Sequence, residues 1–228
     1  MLPVAAAKPH QAATGESLPE SEKLASIEVQ PANIRLAKRF DTAQFIVTGK
    51  MESGNVIDVT RLVKVAISAD IVVVSPTGLL RGTANGQTDL TFSLGDKNVT
   101  AIVEVAGIDP DFKLDLIRDV NPVFGKAGCN AGTCHGSKKG KGGLKTSMRG
   151  NDPIFEVRAY IDELASRRIN LASPENSLML LKATARVPHQ GGQVVVPGSP
   201  YHKIIRKWIG DGARIDVNAP RVASIEIL

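Results

Sequence analysis

The segment VTAIVEVAGIDPDF, residues 99–112, marks the point where the chain changes its secondary structure. Apolar and polar residues alternate up to Val105, as in a strand with one buried face. From Asp109-Pro110 onward, apolar residues recur at helical spacing instead. The sequence therefore predicts two domains, an all-β domain before this segment and a small all-α domain after it.

The composition of the 228 residues is that of a globular protein, with 43% hydrophobic and 22% charged residues. The formal net charge is +5. No apolar run reaches the length of about 18 residues that a membrane-spanning helix needs, so none is predicted. Only two cysteines are present, which excludes a disulfide-dense scaffold.

Both ends of the chain are predicted to lie outside these domains. Residues 1–23 contain three prolines and no sustained period, which indicates a disordered tail or the remnant of an export signal. Residues 220–228 end within an alternating pattern, and Val222–Leu228 resembles Leu24–Val29. We interpret 220–228 as the first strand of a truncated following domain of Ig-like type; chance similarity of two short strands is the alternative.

Residues 24–107 contain about seven short alternating segments separated by turn residues, which predicts a β-sandwich. This part of the chain has no cysteine and no histidine. It resembles the group 2 bacterial Ig-like domain at four phrases, which are Ile27–Pro31, Asp58–Thr60, Val74–Gly82 and Val99–Val105. The resemblance implies an Ig-like sandwich that acts as an extracytoplasmic spacer or adhesive unit.

Residues 108–219 are predicted to form four or five short helices joined by glycine-rich loops. Helix-start signals occur at Asp109-Pro110, Asn121-Pro122, Asp152-Pro153 and Ser199-Pro200. For the helix that begins at Asp152-Pro153, the expected apolar face consists of Ile154, Val157, Ile161, Leu164 and Ala165.

The two cysteines belong to one short motif, Cys129-x4-Cys134-His135. Covalent attachment of c-type haem uses C-x-x-C-H, in which two thiols bind the haem and the histidine reaches its iron. The spacing here is two residues longer. A disulfide, half of a zinc site and two inert thiols therefore remain as alternatives for this motif.

Residues 119–213 resemble the planctomycete-type cytochrome c domain. The phrases that carry the resemblance are Asp119–Phe124, Cys129–Gly136, Gly143–Gly150, Arg167–Asn170, Pro174–Lys182, Pro188–Gly192 and Trp208–Ala213. The resemblance implies a small all-α cytochrome c-like domain with one covalent haem c per chain. It also implies thioether anchors at Cys129 and Cys134, His135 as the proximal iron ligand, one-electron transfer rather than enzymatic catalysis, and a periplasmic or cell-surface location.

The sixth iron ligand is predicted to be His189. Related small cytochromes place a methionine just before the last helix, and this chain has Pro188-His189 at that point. Weaker alternatives are Met148, Met179, His202 and an open site. A pair of imidazoles would give a lower reduction potential than a histidine–methionine pair.

Six basic residues lie between positions 126 and 149 with no acidic residue among them; they are Lys126, Lys138, Lys139, Lys141, Lys145 and Arg149. If the haem edge lies there, the lysines 138, 139, 141 and 145 would attract an acidic redox partner. The alternative is a loop kept soluble by its charge. Nucleic acid is not an expected partner, because no aromatic residue is interleaved with the basic ones.

Two other functions stay open at the level of sequence. One is a cofactor-free cell-surface scaffold or adhesion protein with a Cys129–Cys134 disulfide. The other is a haem enzyme whose active part lies beyond residue 228.

Overall fold

A computed structural model describes residues 16–164, 167–218 and 223–226 of the chain. The chain divides into two compact units between Phe112 and Lys113. We call them the β unit, which ends at Phe112, and the second unit, which begins at Lys113.

Ten strands make up the regular structure of the β unit within the described residues. They are β1 Leu24–Gln30, β2 Asn33–Leu36, β3 Thr42–Gln44, β4 Ile46–Met51, β5 Val56–Asp58, β6 Lys64–Ile67, β7 Val72–Val74, β8 Leu79–Gly82, β9 Gly86–Leu94 and β10 Lys97–Val105. They form three sheets with the strand orders β1-β4-β5, β2-β10-β9-β6 and β3-β8-β7. Strand β2 runs parallel to β10, and the other pairings are antiparallel.

The core of the β unit follows from the alternation along its two longest strands. Leu90 and Phe92 of β9 are fully buried, as are Ala101 and Val103 of β10, while the residues between them face outward. The ring of Phe92 packs against that of Phe45 with 4.8 Å between ring centroids. Burial of alternate side chains is thus what holds these strands in register.

The second unit contains four α-helices among its described residues: α1 Asn121–Lys126, α2 Pro153–Val157, α3 Leu178–Ala183 and α4 Pro200–Gly210. π-helical turns cover Leu116–Val120 and Arg158–Asp162, and 3-10 turns cover Met148–Gly150 and Pro174–Asn176. Helix α4 buries Ile205, Trp208 and Ile209, and it lies against the turn Leu116–Val120. Long connections without regular structure join these short elements.

The first and last segments of the second unit are tied to each other. A carboxylate oxygen of Asp115 accepts a hydrogen bond from the Ile117 amide, and the other accepts one from the Asp216 amide. The Arg214 carbonyl accepts from the Leu116 amide at 3.2 Å and from the Trp208 indole at 2.8 Å. These bonds close the unit at residues 115 and 216.

The predicted fold class, an Ig-like sandwich followed by a small all-α cytochrome c-like domain, is wrong. The chain is mostly β, with three sheets in place of a seven-stranded sandwich. The α-helices of the second unit have 6, 5, 6 and 11 residues, too little for an all-α domain. A physical reason is the glycine-rich stretch 132–150, in which Gly140, Gly142, Gly143 and Gly150 adopt positive φ and interrupt any helix.

The expected apolar face of the helix that starts at Asp152-Pro153 is also wrong. Ile154 and Leu164 are 46% and 63% exposed, whereas Glu156 and Tyr160 are buried. The α-helix ends at Val157 and continues as a π-helical turn, so the helical register changes within it. Ala165 lies outside the described residues.

The predictions for the chain ends are only partly covered by the structure. Residues 1–15, 219–222 and 227–228 lie outside the described residues, and residues 223–226 are not in a strand. Among the described residues, no helix is both long and apolar enough to cross a membrane.

Candidate functional site

The two cysteines and His135 lie on a compact loop that follows α1. The Cys129 amide donates to the Phe124 carbonyl at 2.9 Å, which continues the end of the helix. The His135 amide then donates back to the Cys129 carbonyl at 3.0 Å, so the loop closes on itself. Backbone hydrogen bonds therefore hold both thiols and the imidazole on one short loop.

Both thiols are free and half-buried in the structure. Burial raises the pKa of the Cys129 thiol from 9.0 to about 11, and the nearby Cys134 thiol contributes to the same shift. Cys129 is therefore protonated at neutral pH. The pKa of Tyr160 is also raised well above 10.0, mainly by burial and in part by Glu156 and by Cys129.

The ring of His135 is fixed through one of its nitrogens. Nδ1 lies 3.1 Å from the Lys141 carbonyl and 3.2 Å from the Leu144 carbonyl. Because a carbonyl can only accept, Nδ1 carries the hydrogen, which leaves the lone pair of the neutral ring on Nε2. No partner of Nε2 is found in the described part of the chain.

His189 is held in the same manner by its own loop. Its Nδ1 lies 2.8 Å from the Gly192 carbonyl. Gly191 leaves the ring its space, because a Cβ at that position would lie 2.9 Å from Cε1 of His189. The Pro188 carbonyl, one residue earlier, accepts a hydrogen bond from Lys182 at 2.5 Å and anchors the loop.

The fold brings His135 and His189 together, although 189 − 135 = 54 positions separate them in the sequence. Their ring centroids are 6.4 Å apart and their planes are within 6° of parallel. In both rings Nδ1 faces a backbone carbonyl. The arrangement places two imidazoles side by side, each held through its Nδ1.

The weaker sixth-ligand candidates lie elsewhere. Met148 is 61% exposed, and its sulfur lies near Gly132 of the cysteine loop. Met179 is half-buried in α3. His202 is buried in α4 with its Nε2 3.3 Å from a carboxylate oxygen of Glu175.

The basic residues lie at the surface beside His135. Lys138, Lys139, Lys141 and Lys145 are all exposed. Lys141 belongs to the turn whose carbonyls face the His135 ring. The positive charge is therefore placed next to the paired histidines.

Sequence reasoning missed two buried charged residues beside this site. Arg168 is 6% exposed and donates to three backbone carbonyls, those of Ala159, Glu163 and Gly143. Glu156 is fully buried. Its partners, the amide and hydroxyl of Ser147, come from a loop that no local pattern connects with α2.

The expectation of a metal-binding cytochrome c unit requires correction. The mostly β architecture overturns the cytochrome c classification. Among the described residues, no group of three or more His, Cys, Asp or Glu side chains comes together to hold a metal ion. A metal site built entirely from such side chains is therefore not supported.

Comparisons with known proteins give distant similarities only. No protein-family model matches the chain, and no curated protein matches it. Among solved structures, domains 5–6 of the S-layer protein SbsC are 27% identical, with a TM-score of 0.31 over 41% of this chain. Domains 4 and 5 of SbsC are 28% identical, with a TM-score of 0.30 over 38% of it.

The chain spans 54% of the length of each of these two SbsC structures. Both are domains of a surface-layer protein. The TM-scores are too low to define a shared fold.

Proposed function

We propose that this chain belongs to an extracytoplasmic protein, with the β unit as a structural spacer and the second unit as a carrier of covalent haem. The spacer role is supported by the continuous apolar core of the strands. The location is supported by the two-cysteine motif, since covalent haem is attached outside the cytoplasm.

The observation that carries the haem proposal is the pairing of His135 with His189. The two ring centroids are 6.4 Å apart and the ring planes are nearly parallel. Metal–imidazole bonds are about 2 Å long, so one metal ion would be within reach of both rings. His135 and His189 are therefore the two residues that would hold the haem iron.

A haem brings four nitrogen ligands of its own and needs only two from the protein, so no cluster of three protein ligands is required. When bound, it supplies a one-electron couple, whose potential is lowered by a second imidazole in place of a methionine. His135 and His189 would hold the iron through Nε2, while their Nδ1 hydrogens remain on backbone carbonyls. Such hydrogen bonds fix the tautomer and orient the ring.

Cys129 and Cys134 would anchor the haem as thioethers. Each thiol would add across one vinyl group, with its sulfur bonded to one vinyl carbon, its hydrogen transferred to the other and the vinyl π bond consumed. The addition needs no oxidant. The protonated state of Cys129 keeps that hydrogen on sulfur until the addition.

A second candidate is a cofactor-free cell-surface scaffold in which Cys129 and Cys134 form a disulfide. The two thiols are close enough for Cys134 to raise the pKa of Cys129, and this proximity favours a disulfide. The step would release two hydrogens to a disulfide-exchange oxidant of the extracytoplasmic compartment.

The two candidates are separated by one experiment on the full chain, exported together with a haem c maturation system. A pyridine haemochrome spectrum and an intact mass after acid-acetone extraction are recorded, with Cys129→Ser/Cys134→Ser as the matched control. Retained haem in the native chain and its loss in the variant support the carrier. A native chain without haem and two hydrogens light would refute it and establish the scaffold.

A further inference from the structure

A two-residue turn supports the ring of His135. Lys141 and Leu144 exchange two backbone hydrogen bonds of 2.9 and 3.0 Å. Between them Gly142 and Gly143 both have positive φ, 58° and 76°, as a type I′ turn requires. We call residues 141–144 the glycine turn.

The glycine turn presents both of its flanking carbonyls to one nitrogen. The carbonyls of Lys141 and Leu144 lie 3.1 and 3.2 Å from Nδ1 of His135. The direction of the imidazole therefore depends on where this turn lies. Gly142 and Gly143 are exposed, so core packing does not set that position.

The position of the glycine turn is set by Arg168. One of its terminal nitrogens donates to the Gly143 carbonyl at 2.6 Å. The other is bound to the carbonyls of Ala159 and Glu163 and to the Glu163 carboxylate. The planar guanidinium thus joins the glycine turn to the end of the α2 segment, and charge-assisted bonds of this kind are strong and directional.

We propose that Arg168 is a positioning residue for the His135 imidazole, acting through the glycine turn. The inference deepens the proposed haem function and rests on it for its biological meaning. The orientation itself exists in the chain without haem and can be measured there. A lysine cannot replace Arg168, because a single ammonium lacks the planar fork that reaches both sides.

The test uses the full chain without haem and ¹H–¹⁵N NMR of the His135 side chain. In the native chain we expect a single tautomer with a slowly exchanging Nδ1 hydrogen. In Arg168→Gln and Arg168→Lys we expect mixed tautomers and at least tenfold faster exchange of that hydrogen. Arg167→Gln, which changes the exposed neighbour, should match the native chain.

A second control separates positioning from loss of stability. Trp208→Phe removes the bond to the Arg214 carbonyl far along the unit and should lower stability without changing the His135 signals. If Arg168→Lys keeps the native tautomer and exchange rate, or if Trp208→Phe changes them equally, the proposal is wrong. In haem-loaded protein, Arg168→Lys should also shift the reduction potential, whereas failure to bind haem at all would overturn the proposed function and leave the NMR result standing.

Discussion

Ser147 donates two hydrogen bonds to the same carboxyl oxygen of Glu156, one from its backbone amide at 2.9 Å and one from its hydroxyl at 2.6 Å. The Tyr160 side chain is a further hydrogen-bonding neighbour of Glu156. Ser147 and Tyr160 together compensate for the full burial of this carboxyl group. The Ser147–Glu156 pair links the loop after the glycine turn to α2.

Ser147→Ala should destabilise the chain by about 1–3 kcal/mol, because it leaves a buried carboxyl oxygen with one donor fewer. Urea unfolding measures the loss. In the Glu156→Gln background the same substitution should cost less, since the carboxyl acceptor has been replaced. Equal costs in the two backgrounds would show that the hydroxyl does not act through the carboxylate.

His189→Ala in haem-loaded protein should abolish the low-spin, six-coordinate absorption spectrum, because one of the two imidazoles is removed. Met148→Leu is the matched control and should leave the spectrum as it is. An unchanged six-coordinate spectrum in His189→Ala would assign the ligand to another residue.

Gly191→Ala should disturb the same coordination without removing the ligand. The new methyl group would lie 2.9 Å from Cε1 of His189 and must displace the ring. We expect a mixture of five- and six-coordinate spectra and weaker retention of the distal ligand. Gly132→Ala serves as control, since its nearest neighbour is the flexible Met148 sulfur at 3.7 Å; equal spectra for both variants would contradict the steric argument.

The buried thiol of Cys129 makes the stability of the haem-free chain depend on pH. Its pKa is about 11 in the folded chain against 9.0 in the reference state, so folding favours the protonated form. The stabilisation is fully present below pH 9 and is lost as the pH rises through about 11. Urea unfolding from pH 8 to 11 should show a steeper loss for the native chain than for Cys129→Ser, and parallel curves would speak against the shift.

Electron transfer to an acidic partner should slow as salt is added, if the four exposed lysines form the docking surface. Stopped-flow rates at increasing ionic strength measure this. Lys138→Glu/Lys139→Glu should reduce both the rate and its salt dependence, whereas Lys50→Glu, on the β unit, should not. A rate independent of salt would leave only solubility as the role of these lysines.

The strands that could be predicted from the sequence are those whose hydrophobic pattern lies within the strand itself. The alternation at 90–94 and 101–105 is local, and these segments lie within β9 and β10. Strand β2 alternates over only four residues and β3 has only three, so neither pattern is long enough to predict a strand on its own. Their pairing with β10 and β8 is decided by tertiary contacts.

The residues of the candidate site likewise include some that could be predicted from the sequence and some that could not. The cysteine motif and the two histidines could be named from their residue types and order. The burial of Glu156 could not, since hydropathy predicts the opposite face of its helix and the deciding partner is Ser147. Nor could Arg168, whose acceptors are backbone carbonyls that have no signature in the sequence.

The bonds that join residues 115 and 216 give the second unit a mechanical property. A pull along the polypeptide enters near Asp115 and leaves near Asp216, where the Asp216 amide donates to the Asp115 carboxylate and the Leu116 amide donates to the Arg214 carbonyl. Tension would therefore pass through this short clasp and load its bonds first. The paired histidines and the cysteine loop lie outside that path, and stretching of the chain would leave them undisturbed until the clasp opens.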